Sequence, residues 1–304
     1  DGALWVCDWV NGWIGEAKGR IYRFLDPAGQ KQDIVAEVQN LLASGFSQST
    51  DLQLADLLRH LDRRIRLEAQ WELAQRGKVK VFEKIASDTG AGTIARLHSV
   101  WGLGHAARLQ PDLREAVGPG LAAALTSTDL DVRAATAGVV GDLKLERFSD
   151  RIVELIADPE PRVQYAACQA AGKLQIAAAV PAVLDLLVEN NDRDPGLRHA
   201  AIMALRGAAP PKQLAQLKSH ASPSVRLAAV VALRKLQSLE IADFLRDENS
   251  AVQLEAARAV HDVPELHPAL PQLAELAADT DRPLASDGLA HRVLNAHFRL
   301  GGSS

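Results

Sequence analysis

The pattern of apolar and polar positions changes once along the chain. At the start, Ala3-Leu4-Trp5-Val6-Cys7-Asp8-Trp9-Val10 and Arg20-Ile21-Tyr22-Arg23-Phe24-Leu25 are two runs rich in aromatic and β-branched residues. A Gly-containing stretch (Gly12, Gly15, Gly19) separates them, and Asp26-Pro27-Ala28-Gly29 follows as a turn. Such runs predict a β-hairpin over residues 1–30. Aromatic residues make up only 4 % of the chain, yet Trp5, Trp9, Trp13, Tyr22 and Phe24 crowd into its opening. A lone two-stranded hairpin is marginal in water, so this one is expected to complete a larger sheet upstream.

From about residue 33 the pattern becomes helical, rich in Ala and Leu, and it repeats. Apolar residues 65, 95, 132, 163, 197, 225 and 252 are each followed four residues later by a small one: Ala69, Ser99, Thr136, Ala167, Ala201, Ala229 and Ala256. An interval of four places both on one face of a helix. The spacing of roughly 30 residues between copies is that of a two-helix repeat unit. Polar residues able to cap a helix stand before each copy, as in Asp194-Pro195, Ser222-Pro223, Asp158-Pro159-Glu160-Pro161, Asp62 and Asn249. A single helix pair cannot bury its apolar faces, but stacked pairs share a continuous core.

With small residues on the second helix and an Asp-x-x-Val-Arg opening, this pattern resembles the HEAT repeat. The expected fold is all-α: a HEAT-repeat α-solenoid of about eight helix pairs over residues 33–300, preceded by the short N-terminal β-hairpin and ending in a flexible tail at 301–304. The first and last pairs are degenerate, as end units of a solenoid are.

Composition narrows the chemistry. The 304 residues are 47 % hydrophobic and 24 % charged, with a formal net charge of −4. That balance excludes a strongly basic nucleic-acid binder, and no apolar run is long enough to span a bilayer. Cys7 and Cys168 cannot supply a disulfide framework or paired zinc ligands. Three G-x-G-x-x-A strings begin at Gly90, Gly102 and Gly118. The second is expected inside a helix and the others in turns between helices, so none has the strand-then-helix setting of a dinucleotide site. The segment His261-Asp262-Val263-Pro264-Glu265-Leu266-His267 has metal-capable side chains without ligand spacing, while His291 and His297, six apart, fall on different helix faces. There is no P-loop, G-x-S-x-G, H-E-x-x-H or C-x-x-C-H string. No catalytic, cofactor-binding or metal-binding residue is assigned.

A second resemblance is carried by three segments: Asp1-Gly2-Ala3-Leu4-Trp5-Val6-Cys7-Asp8-Trp9 with Lys18-Gly19-Arg20-Ile21-Tyr22-Arg23; Arg96-Leu97-His98-Ser99-Val100-Trp101-Gly102-Leu103-Gly104; and Arg292-Val293-Leu294-Asn295-Ala296-His297-Phe298-Arg299-Leu300. Together they resemble the planctomycete-type membrane-bound dehydrogenases, which join a β-propeller, HEAT repeats and a C-terminal c-type haem domain. The resemblance implies a fragment of an exported, periplasmic redox protein, with the hairpin a remnant of the closing propeller blade. It also implies a propeller redox cofactor and haem held outside this chain.

Three functions are expected in descending order: a non-catalytic scaffold for protein–protein or interdomain docking, a piece of a sugar or alcohol dehydrogenase, and a nucleic-acid binder. The arginines Arg66, Arg133, Arg198 and Arg226 recur at one repeat position close after Asp62, Asp129 or Asp131, Asp194 and Ser222. They are expected to form a structural ladder between successive turns. Counted from the apolar opening of each second helix, positions +3, +6 and +10 lie at roughly 300°, 240° and 280°, away from the core. They hold Glu68, Trp71 and Gln75 in one copy and His98, Trp101 and His105 in the next; later copies hold Gln169, Lys173, Lys235 and Arg258. Trp71, His98, Trp101 and His105 are thus the candidate docking patch, on a concave face, for another domain of the parent protein or a protein partner.

Overall fold

The computed structural model describes residues 2–9, 19–279, 284 and 286–301. Strands β1 (Leu4–Trp9) and β2 (Gly19–Phe24) pair antiparallel, with Leu4 opposite Phe24 and Trp9 opposite Gly19. The loop between them, including Trp13, and the tail 302–304 lie outside the described residues; Gly301 closes the last helix. The turn after β2 is held by Asp26, whose carbonyl accepts from Gln30 N–H at 3.0 Å and whose carboxylate accepts from Ala28 N–H at 3.0 Å. Every side chain of β2 is exposed, and Leu4 and Trp5 on β1 are 65 % and 55 % accessible.

The remaining described residues are helical and fall into two compact units, Asp1–Val117 and Gly118–Ser304. In the first, α1 (Asp33–Ser44) packs against α3, and the pairs are α2 (Asp51–Leu57) with α3 (Arg63–Gln75), and α4 (Val79–Ser87) with α5 (Thr93–Leu109). In the second unit, α6 (Gly118–Leu125) pairs with α7 (Leu130–Asp142), α8 (Ser149–Leu155) with α9 (Pro161–Leu174), and α10 (Val180–Asn190) with α11 (Pro195–Ala208). Next come α12 (Pro211–Gln216) with α13 (Pro223–Lys235), and a 3-10 segment, Leu239–Phe244, with α14 (Ser250–Asp262). Last is α15 (Leu270–Ala274) with α16 (Asp287–Gly301). Within each unit the second helices also pack on one another: α3 on α5, and α7, α9, α11, α13, α14 and α16 in succession.

The small-residue row faces the core, where Ala69, Ser99, Thr136, Ala167, Ala201, Ala229 and Ala256 are all fully buried. On another face, glycine lets second helices approach each other closely. A Cβ on Gly172 would overlap the Met203 carbonyl of α11, and one on Gly207 would overlap Gly172 in return. Gly102, the first glycine of one G-x-G-x-x-A string, lies inside α5, where its missing side chain makes room for the Phe82 ring. Gly118 corrects the expectation of a turn: it begins α6, where an added Cβ would overlap the Arg147 guanidinium.

Helix starts follow the sequence. Asp62, Asp129, Asp194 and Asn249 accept from backbone N–H groups one turn into α3, α7, α11 and α14. Ser222 departs from this, because its hydroxyl pairs with Ser224 instead of capping α13. The ends of α3, α7, α9 and α13 share one geometry. Gly77, Lys144, Gln175 and Gln237 have φ of 65°, 51°, 55° and 54°. At each, the following N–H returns to a carbonyl five residues back, as from Lys78 to Leu73 at 3.0 Å and from Leu145 to Val140 at 3.1 Å. This is a left-handed C-terminal cap.

Because Leu4–Asp8 and the side chains of β2 are exposed, removing residues 1–30 is expected to leave the helical circular dichroism signal intact. The melting temperature should move by less than about 3 °C. A larger fall in the thermal melt would show that the hairpin shields α1.

Candidate docking surface

The arginine row is built on a loop device repeated before five of the second helices, α3, α7, α9, α13 and α14. The residue two before the helix cap accepts the cap's own N–H: His60 from Asp62 at 2.9 Å, Ser127 from Asp129 at 3.1 Å, Asp158 from Glu160 at 3.0 Å, His220 from Ser222 at 3.1 Å, and Asp247 from Asn249 at 2.8 Å. The arginine four residues after the cap folds back on that loop. Arg66 donates to the carbonyls of His60 and Leu61 at 2.6 and 2.8 Å, Arg133 to Ser127 and Thr128 at 2.8 and 3.1 Å, and Arg226 to His220 and Ala221 at 2.8 and 3.2 Å.

Where the next loop offers a carboxylate, the arginine also reaches forward. Arg133 grips both oxygens of Asp158 at 3.0 Å, and Arg226 both of Asp247 at 2.8 and 3.0 Å. The partners therefore differ from those expected. Asp62, Asp129 and Asp194 are occupied as helix caps, and the bridging acids lie 25 and 21 residues downstream of their arginines. Arg198 makes no such bridge. Its loop partner, Asp192, stands at 3.6 Å, and the forward position is His220 instead of an acid.

Arg66 reaches forward to a histidine, and this link organises the candidate patch. Arg66 Nε donates to His98 Nε2 at 3.0 Å, so the His98 proton sits on Nδ1, which donates to Gln70 Oε1 at 2.8 Å. The ring spans α3 and α5 and is only 3 % exposed. This corrects its placement on the docking surface: its direction of about 300° brings it against α3, and it supports the patch from beneath. The Trp101 indole meets it edge to face, with centroids 5.3 Å apart. Trp71 and Trp101 stand at the same repeat position on the two packed helices, each 42 % exposed. His105, one turn beyond Trp101, is half-buried.

Burial, with Arg66 and Arg63 adding to it, pushes the His98 pKa down to about 4. Burial and Arg108 lower that of His105. Burial alone raises the Cys168 thiol to about 12, which leaves it unreactive, while Cys7 is exposed. Among the described residues no three His, Cys, Asp or Glu side chains are placed to hold a metal. His261 is engaged with Asp262 and Asn295, and His267 with the His261 carbonyl and Arg299. No described helix is long and apolar enough to cross a membrane.

With this geometry in view, comparison with known proteins bears on the repeat. A family model for HEAT repeats matches residues 118–206. No curated protein matches the chain. Among solved structures, similarity extends to the CpcE–CpcF complex of phycocyanin lyase from Nostoc sp. PCC7120, at 17 % identity and TM-score 0.42, over 75 % of this chain and 95 % of that one. It extends also to Escherichia coli YibA, at 19 % identity and TM-score 0.49, over 83 % and 93 %. Human deoxyhypusine hydroxylase in complex with glycerol is similar at 17 % identity and TM-score 0.36, over 84 % and 97 %. The fold is a HEAT-repeat α-solenoid with a short N-terminal hairpin. The resemblance to membrane-bound dehydrogenases gains no support from these matches.

Arg226→Ala removes the guanidinium that bridges both oxygens of the buried Asp247, and unfolding in urea should show a loss of about 3 kcal/mol. Arg198→Ala, removing a half-exposed side chain 3.6 Å from its nearest acid, should cost less than about 1 kcal/mol. Equal losses in the two variants would refute the forward bridge as the source of the difference.

The His98 site adds a pH dependence. Its folded pKa lies below the unfolded value of 6.5, so the unfolded chain binds the proton more readily between pH 6.5 and about 4. Stability is therefore complete above pH 6.5 and declines toward pH 4, by roughly 2–4 kcal/mol from this group. His98→Gln should flatten the urea midpoint between pH 7.5 and 5, leaving the smaller slope due to His105.

Proposed function

We propose that the chain is a non-catalytic scaffold that docks a protein partner, or another domain of its parent protein, on the Trp71–Trp101 face. The observation that carries this reading is the pair of indoles at one repeat position, each 42 % exposed although the small-residue row beneath them is closed. Tryptophan is heavily buried on average in folded chains and is enriched at the energetic centres of interfaces. His98, fixed by Arg66 and Gln70, holds Trp101 against rotation, so little side-chain freedom remains to be lost on binding.

A second reading follows from the hairpin. Leu4, Trp5, Ile21 and Phe24 are exposed on strands whose outer edges are unpaired among the described residues. They favour a partner that supplies further strands, in keeping with the propeller that the dehydrogenase resemblance implies. In that reading the scaffold spaces redox domains, and substrate, redox cofactor and haem belong to those domains.

The test is retention of native proteins on immobilised full-length chain, measured by quantitative mass spectrometry. The wild type should retain a partner that the Trp71→Ala/Trp101→Ala double variant loses at least about tenfold, with an unchanged melt. Identical retained sets on both proteins would overturn the docking face.

A further inference from the structure

We propose that the unit formed by residues 118–304 has a separate binding face for an extended acidic protein segment, laid across α9, α11 and α13. This site extends the docking reading to another part of the chain and stands whether or not the tryptophan pair binds anything. The first observation is a charge division that the chain's net charge of −4 conceals. The second helices carry Arg162, Lys173, Arg198, Arg206, Arg234 and Lys235. α9, α11 and α13 hold no Asp or Glu, whereas the first helices of those repeats are mixed, with Asp150, Arg151 and Glu154 on α8, Asp185 and Glu189 on α10 and Lys212 on α12. An acidic chain is thus drawn to the second-helix side of the stack.

The second observation is that part of this cationic face has no acid of its own. Lys173 is paired with Asp142 at 2.6 Å, Arg162 with Asp131, and Arg234 with Glu255. Arg206 and Lys235, both exposed, have no carboxylate partner among the described residues, and Arg198 has only Asp192 at 3.6 Å. Arg206 borders a groove of about 380 Å³ between α9 and α11, with Gln169, Lys173 and Met203, where Gly172 and Gly207 leave the helix backbones uncovered. Beside it, between α11 and α13, a groove of about 300 Å³ is lined by Ile202, Leu227 and Val231, with Arg198, His199 and the Glu255 carboxylate of α14, which Arg234 engages.

Geometry then sets the pattern of the ligand. Packed helices lie about 10 Å apart, and an extended chain advances about 3.3 Å per residue. Side chains of an extended chain alternate faces, so carboxylates four residues apart, about 13 Å, share the face that meets the long Arg206 and Lys235 side chains on successive helices, and an apolar side chain midway between them turns toward the Ile202–Leu227–Val231 groove. The same facts favour a peptide over a nucleic acid. Paired acids interrupt the cationic face and apolar side chains line its grooves, whereas phosphate binding rests on a continuous excess of cations.

The test is selection of a displayed library of random nonapeptides on the full-length chain, followed by fluorescence anisotropy of the winning peptide. The expected outcome is enrichment of Asp or Glu at a four-residue interval with an apolar residue midway between. Arg206→Glu and Lys235→Glu should each weaken that peptide about tenfold without altering the melt, and Trp101→Ala should leave it unchanged. Winners lacking acidic residues, no winners at all, or affinities indifferent to both charge reversals would overturn the proposal. So would tighter binding of a single-stranded 20-mer of thymidylate that is lost in the same two variants, since that result assigns the face to nucleic acid.

Discussion

The structure depends on how closely one second helix can approach the next. Each helix pair is too thin to close its own core, so the buried surface is shared with the neighbouring pair or lost. Glycine admits that approach where it is tightest, through Gly141 against Ala170 at α7–α9 and, to backbone contact, through Gly172 and Gly207 at α9–α11. Close-packed interiors leave little slack for a larger side chain at such a position. Everything else on the second helices follows from this fixed spacing: which side chains are pressed between helices, which are turned outward, and which loops come within reach of an arginine.

His98 shows how that spacing sorts residues of the same apparent direction. Trp71 and His98 both point away from the first helices by simple angular counting, yet one is open to solvent and the other is sealed between α3 and α5. A compact imidazole with two polar partners, Arg66 and Gln70, can be satisfied in that space. Indoles at the neighbouring position remain half outside. The patch is thus a supported surface: the exposed ring of Trp101 rests on a buried one, whose tautomer is set by a cation from the adjacent helix.

Much of this was legible in the sequence, and the parts that were not have physical reasons. The helix starts announced themselves through Asp62, Asp129, Asp194 and Asn249, because a capping side chain acts within its own turn. The helix ends did not, since Lys144, Gln175 and Gln237 adopt the left-handed conformation that glycine usually signals. The exposure of Trp71 and Trp101 could be read from the repeat position. The forward partners of Arg133 and Arg226 could not, because they stand in a different loop and are brought near only by stacking. The signal that would have found them is an acid two residues before the next helix cap. The same rule marks His220 as the place where the bridge to Arg198 fails.

That irregularity gives the second unit joints of unequal kind. Between α7 and α9 the link is ionic, Arg133 to Asp158, and also close, since a Cβ on Gly141 would overlap the Ala170 backbone; between α9 and α11 it is backbone against backbone at Gly172 and Gly207. The α10–α11 pair is tied to α13 through the Ser224 hydroxyl on the Leu187 carbonyl at 3.0 Å, and α13 to α14 by Arg226 and Asp247. Considered as a spring, such a stack does not flex evenly. Its ionic joints hold by long, articulated side chains that permit small rotations while the contact persists, whereas the glycine joints have no compliant element between the helices. Such seams predict that bending concentrates beyond the α7–α9–α11 block, and the elasticity of this unit is thereby written into the chemistry of its seams.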